Sequence, residues 1–144
     1  MQHIVTKFGG TSVSSRITWN NIAAITKKHL EDGVQPVIVC SALTQISNKL
    51  EKAIEAALID EHHSIFNDIQ NSHFRLADEL EVSPELITAE LQQLHQWLTG
   101  IALLKQAPAK THAQILSLGE IMMTRLGHEF LTNQGISNQW FSAK

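Results

Sequence analysis

The sequence predicts an α/β fold: a parallel strand–helix–strand unit, extended by a helical hairpin and a long helix. Three observations carry this. His3–Phe8 and Pro36–Cys40 are short segments with the β-branched and apolar content of strands. The stretch between them repeats apolar residues at helical spacing. Beyond Ser47 the apolar pattern stays helical almost to the end of the chain. Strand, helix and strand within about 40 residues make a βαβ unit, whose crossover is right-handed.

Each element has a local reason. Gly9-Gly10 breaks the first strand, and Thr11, Ser12, Ser14 and Ser15 are all good helix N-caps. Trp19, Ile22, Ala23, Thr26 and Leu30 then share one helix face, and Gly33 is a natural stop. Pro36-Val37-Ile38-Val39-Cys40 is a continuous apolar run, the pattern of a strand buried on both faces. Ser41–Gln45 reads as a loop and Ser47–Leu58 as a helix.

The middle of the chain is helical throughout. Ile65, Ile69, His73, Leu76 and Leu80 form one stripe, and Ile87, Leu91, Leu94 and Leu98 a second. Between them Ser83-Pro84-Glu85 reads as N-cap, first-turn proline and first-turn acid. Two amphipathic helices with a short connection predict an antiparallel hairpin over residues 62–107, closed by Pro108. A last helix is expected from Thr111 to Asn133, with Ile115, Leu118, Met122, Leu126 and Phe130 inward and Gly135 as its stop. Ile136–Phe141 reads as the start of a third strand. No linker or repeat interrupts the chain, so residues 1–144 are expected to form part of one domain.

Composition narrows the function classes. A net charge of −3 offers no electrostatic footprint for nucleic acid or an anionic membrane. Aromatic residues make up only 6% of the chain and tyrosine is absent, which argues against a base-stacking platform. No apolar run is long enough to span a bilayer, and no secretory leader is visible. The single cysteine, Cys40, excludes an intrachain disulfide and is expected to be buried and inert, consistent with a cytoplasmic location. Of the eight histidines none has metal-ligand spacing, so solvent or core positions are expected for them and no metal site is assigned. Asp60-Glu61 and Glu79–Glu81 read as solvated helix faces, and Trp19, Trp97 and Trp140 as packing residues.

The chemistry concentrates at Lys7-Phe8-Gly9-Gly10-Thr11-Ser12. Ligands of open parallel sheets bind beyond the C-terminal strand ends, where Lys7 is expected. Glycines allow close backbone approach, and the unpaired N–H groups of a following helix favour an anion. Lysine before the glycines departs from G-x-x-x-x-G-K-[ST], and the loop is not G-x-G-x-x-G either. On the residues alone, a phosphate loop and an ordinary strand–helix turn both remain open.

The string Lys7-Phe8-Gly9-Gly10-Thr11-Ser12-Val13 resembles the pattern of aspartate kinases, in the amino-acid kinase superfamily. Val39-Cys40-Ser41-Ala42 is similar to the family's second strand and serine loop, and Ile46-Ser47-Asn48 to the hydroxyl-Asn pair that follows. Ser117-Leu118-Gly119-Glu120 resembles its helical Gly-Glu element, and Gln139-Trp140-Phe141 the strand after that helix. The middle helices match only in pattern. Ser14-Ser15-Arg16 with Trp19, together with Val39–Leu43, is most similar to bifunctional kinases fused to diaminopimelate decarboxylase.

The resemblance implies the N-terminal portion of the amino-acid kinase fold. It implies transfer of the γ-phosphoryl group of ATP, with Mg²⁺, to the side-chain carboxylate of aspartate. The product would be 4-phospho-aspartate, on the route to lysine, threonine, methionine and diaminopimelate. Lys7 would contact the transferred phosphate, Gly9 and Gly10 would offer backbone N–H groups to the phosphates, and Thr11 and Ser12 would complete the loop. Ser41 would lie close to both substrates, Ser47 would help hold aspartate, and Glu120 would bind its α-amino group. Each has a plainer reading: a turn cap for Ser41, a helix N-cap for Ser47, a solvated surface position for Glu120. The family's catalytic domain is considerably longer, so the chain is expected to be an inactive fragment that self-associates, as a homodimer. Two other classes stay open: a superfamily member with another acceptor, such as glutamate or N-acetylglutamate, and a non-catalytic nucleotide-binding or interaction module.

Overall fold

The computed structural model describes residues 2–142, so the ends of the expected 1–144 unit lie outside the described residues. Two strands, β1 (Gln2–Phe8) and β2 (Val34–Cys40), pair in parallel from Gln2–Val34 to Phe8–Cys40. The crossover is α1 (Arg16–Glu31), entered through a short 3₁₀ turn, Gly10–Val13. Of the four candidate caps, Ser15 is the one used. Its hydroxyl accepts from the Thr18 N–H while the Thr18 hydroxyl accepts from the Ser15 N–H, a reciprocal capping box.

Four helices follow: α2 (Ile46–Ala57), α3 (His63–Leu80), α4 (Thr88–Leu104) and α5 (Ala109–Asn133). The ring contact between Phe66 in α3 and His95 in α4 is part of the hairpin, and both helices pack onto α2 and α5. Ser83 caps the Pro84–Ile87 turn that leads into α4. α5 starts two residues before the expected Thr111, directly after Pro108, whose fixed φ suits a helix entrance. Its predicted stripe is fully buried, joined by Met123 and Leu131. Each such side chain is worth about 1.5–3 kcal/mol relative to exposure, so α5 is the spine of the core. Trp19 meets it edge-to-face at Phe130, with ring centroids 6.1 Å apart.

Several expectations are corrected. β2 is not buried on both faces. Side chains alternate across a strand, so Val5 and Lys7 of β1 share a face with Val37 and Val39 of β2. That face is open: Val5 is 69% exposed, Val37 47% and Val39 43%. The opposite face, ending at buried Cys40, is the better covered, with α1 packed on β2. Leu30 lies at the end of α1 and is exposed rather than part of the buried face.

Ile136–Phe141 forms no strand. Its polar groups are tied back to α5 instead of to a ladder: Asn138 bonds to His128 and Thr132, and the Trp140 indole N–H donates to the Thr124 hydroxyl at 2.8 Å. Asp60-Glu61 sits in the turn between α2 and α3 rather than on a helix face. Glu79 and Glu81 are exposed as expected, and both engage Arg16. Among the described residues, no helix is long and apolar enough to cross a membrane.

Candidate active site

The two strands end side by side, and the chain leaves each in a tight turn. After β1 the turn passes through Gly9-Gly10, and the Ser12 N–H donates to the Gly9 carbonyl at 3.0 Å. After β2 the Ser41 N–H still donates to the Phe8 carbonyl at 2.9 Å, carrying the ladder one step beyond Cys40. The loop after Ser41 then folds across Gly10. A side chain at Gly10 would place its Cβ 3.3 Å from the Ala42 carbonyl oxygen, a tight contact that the bare glycine avoids. Nothing crowds Gly9 in the same way.

Gln45 turns the chain into α2 with φ of 69°, a left-handed conformation, and makes no side-chain cap. Its carboxamide accepts instead from Asn48. The first N–H groups of α2 therefore have no side-chain acceptor from the cap residue. Ser47 lies inside the first turn, so the N-cap reading of this residue is removed. α5 closes the site from the other side. A Cβ on Gly119 would fall 2.9 Å from the Ala42 Cβ, so the bare glycine lets α5 press on the loop and brings Glu120 to its rim. The close approach at Gly119 is thus to the protein's own loop.

These elements enclose a cleft of about 250 Å³ lined by Gly10, Ser41, Ala42, Leu43, Thr44, Gln45, Ser47, Asn48 and Glu120. Of the residues singled out from the sequence, Gly10, Ser41, Ser47 and Glu120 converge on it. Lys7, Gly9, Thr11 and Ser12 do not line it. Lys7 is the penultimate strand residue, exposed on the open sheet face, and makes no ion pair among the described residues. Thr44, Gln45 and Asn48 are lining residues that the sequence reading did not select as ligands. Asn48 had a signal, since it follows Ser47 in the hydroxyl-Asn pair, while Thr44 and Gln45 had only their place in a strand–helix loop.

The cleft carries both signs of charge. The N-terminal end of α2 presents partial positive charge, whereas Glu120 is an exposed carboxylate. Cys40, next to Ser41, takes no part as a nucleophile, because burial pushes its thiol pKa up to about 11.

The amino acid kinase family model matches residues 2–144. Aspartokinase 2, chloroplastic, of Arabidopsis thaliana is 35% identical over 96% of this chain, which spans 26% of that protein. Lysine-sensitive aspartokinase 3 of Escherichia coli is 32% identical over 98% of the chain, spanning 31% of that protein. The crystal structure of E. coli aspartokinase III in complex with aspartate and ADP superposes with a TM-score of 0.78 at 28% identity, covering 98% of this chain and 31% of that one. The same enzyme in complex with lysine and aspartate gives 0.77 at 29% identity, covering 97% and 31%. The chain thus spans about a quarter to a third of the length of the relatives it matches. A family model over nearly every residue, on a fold shared with aspartokinases, means that this chain belongs to the amino acid kinase family.

Proposed function

We propose that these residues form the aspartate-binding half of an aspartate kinase active site, at work within a longer polypeptide. One observation carries this reading: a single cleft, at the ends of two parallel strands, offers a helix N-terminus and a carboxylate together. An α-amino acid needs both, a donor surface for its carboxylates and an acceptor for its ammonium group. Glu120 takes the ammonium group. The α2 N-terminus with Ser41 and Ser47 takes carboxylate oxygens.

ATP then enters beyond the C-terminal ends of the strands, its phosphates directed at Lys7 and the Gly9-Gly10 turn, with Thr11 and Ser12 behind them. Mg²⁺ accompanies ATP as part of the substrate. Among the described residues, the only carboxylate lining the cleft is Glu120, which this reading commits to aspartate. The aspartate side-chain carboxylate attacks the γ-phosphorus, the bond to the bridging oxygen breaks, and ADP leaves. A carboxylate is already an anionic nucleophile and needs no general base. The work of the site is alignment and relief of charge repulsion, for which Lys7 and the loop amides are suited. An inert, protonated Cys40 fits a reducing cytoplasm.

The open apolar sheet face supports a further point: the 144-residue chain by itself is inactive, and it self-associates, as a homodimer, through that surface. Trapping acyl phosphate with hydroxylamine in a coupled ATP assay tests the activity of the short and extended chains, and light scattering tests self-association. The extended polypeptide is expected to turn over aspartate and the 144-residue chain is not. Robust turnover by the short chain would sink the fragment reading. Preference for glutamate or N-acetylglutamate in the extended protein would reassign the acceptor. ATP binding without transfer would make it a nucleotide-binding module.

A further inference from the structure

We propose that Asp60, His62 and His63 form a binding site for a zinc-class transition-metal dication at the corner between α2 and α3. The three side chains each place a ligand atom within 4.8 Å of the other two. The His62 and His63 rings lie 4.3 Å apart between centroids, tilted by 32°, and His63 Nε2 is 3.9 Å from Asp60 Oδ1. Two imidazoles and one carboxylate are a ligand set that zinc accepts, with water as the fourth ligand.

The decisive member is His62. It is 1% exposed, yet both of its ring nitrogens lack a hydrogen-bond partner. A buried polar group without a partner is costly, and a native structure keeps one only for a reason. A bound dication supplies that reason at one nitrogen. Asp60 and His63 are exposed and face the same point, so the site has an entrance from solvent. The last carbonyls of α2 favour a cation here, while the α3 N-terminus opposes it, and the Asp60 carboxylate tips the balance.

Spacing alone hid the site. Asp60 is held with φ of 55° in the turn that ends α2, and this brings its carboxylate back over the two histidines. The 12 residues of α2 span about 18 Å, so the ion would sit at the far end of that helix from the candidate cleft. Its role is to pin the α2–α3 corner rather than to meet the substrates.

The test is Zn²⁺ binding by the tag-free protein, measured by competition with a chromophoric chelator, with Co²⁺ absorption reporting coordination geometry. One equivalent is expected, with the intense visible bands of four-coordinate cobalt. Asp60→Asn and His63→Ala change exposed residues and leave folding intact. Each is expected to weaken binding at least about tenfold, since even an outer partner of a metal ligand is worth that much. His3→Gln, remote in β1, and Cys40→Ser are expected to bind as the parent does. Failure of the folded protein to take up zinc, or unchanged affinity in both Asp60→Asn and His63→Ala, overturns the proposal. Loss of binding in Cys40→Ser alone would overturn it as well.

Discussion

Gly127 of α5 lies directly under the indole of Trp19, so close that a Cβ on the glycine would fall 2.1 Å from the ring's Cη2 atom. The Trp19 Nε1–H also donates to the Val13 carbonyl at 2.9 Å, anchoring the turn that follows the Gly9-Gly10 loop. One packing contact thus joins the spine of the core to the candidate phosphate loop. Gly127→Ala is expected to destabilise the fold by about 3 kcal/mol, at the upper end for overpacking, because neither the ring nor the helix can yield. Chemical denaturation followed by circular dichroism measures it. The same substitution in a Trp19→Leu background is expected to cost less, and equal costs would refute the contact as the cause.

Gly119 has the same relation to Ala42, at 2.9 Å, but here the partner is a loop. Gly119→Ala is expected to cost about 1–3 kcal/mol in stability and to push the Ser41–Gln45 segment away from Glu120. In the extended polypeptide this should raise KM for aspartate more than KM for ATP. An equal rise in both would argue against a cleft devoted to the amino acid.

Glu120 and Lys7 are expected to separate by substrate. Removing a hydrogen bond to a charged group costs about 1.5–3 kcal/mol, so Glu120→Ala in the extended polypeptide should weaken aspartate binding roughly 10- to 100-fold. Lys7→Met should lower kcat on the order of 100-fold or more, the scale of losing one preorganised donor at a developing charge. Steady-state kinetics with each substrate varied in turn distinguishes the two.

Glu90 of α4 is buried, and one of its carboxylate oxygens has no partner. The other is held by Arg125 of α5, whose guanidinium also lies 4.1 Å from the centre of the Trp140 ring. Arg125→Met strands the buried carboxylate and is expected to cost about 3 kcal/mol. Glu90→Met together with Arg125→Met removes both charges and should recover most of that loss. Thermal melts of the single and double variants provide the comparison.

His73 is fully buried in α3, with Nδ1 2.8 Å from the Ile69 carbonyl oxygen and Nε2 unpartnered. Burial holds its pKa below the ordinary histidine value of 6.5, with nearby Lys49 of α2 acting in the same direction against the hydrogen bond to Ile69. The folded state thus resists protonation while the unfolded state does not. Stability from this residue is fully present above pH 6.5 and is lost as pH falls from there toward the lowered native value. His73→Leu should flatten the pH dependence of the urea midpoint over that window, and an unchanged slope would exclude His73 as its source.

The helices were legible in the sequence because their apolar residues recur with the helical period and must face one core. The loop from Lys7 to Ser12 stood out through its resemblance to a family pattern, since on its residues alone an ordinary strand–helix turn stayed open. The site was only partly so: Gly10, Ser41, Ser47 and Glu120 meet in one cleft, whereas Lys7 stands outside it. Ile136–Phe141 misled because strand-like composition does not supply a ladder, and its polar groups bond to α5 instead.

What the sequence determined by itself, then, was local: the βαβ order, the helical stripes, the Ser83 cap and the residue chemistry of the loop, whereas the choice of Ser15 among four candidate caps of α1 came from the structure. Such features depend on neighbours a few positions apart. Tertiary structure alone decided which glycine faces Trp19 and which faces Ala42, that the α2 N-terminus and Glu120 share a cleft, and that Asp60 turns back onto His62 and His63. It also decided that one face of the sheet stays open. These relations join residues through the packing of whole elements, where close-packed cores leave no slack, and no pattern along the chain encodes them directly.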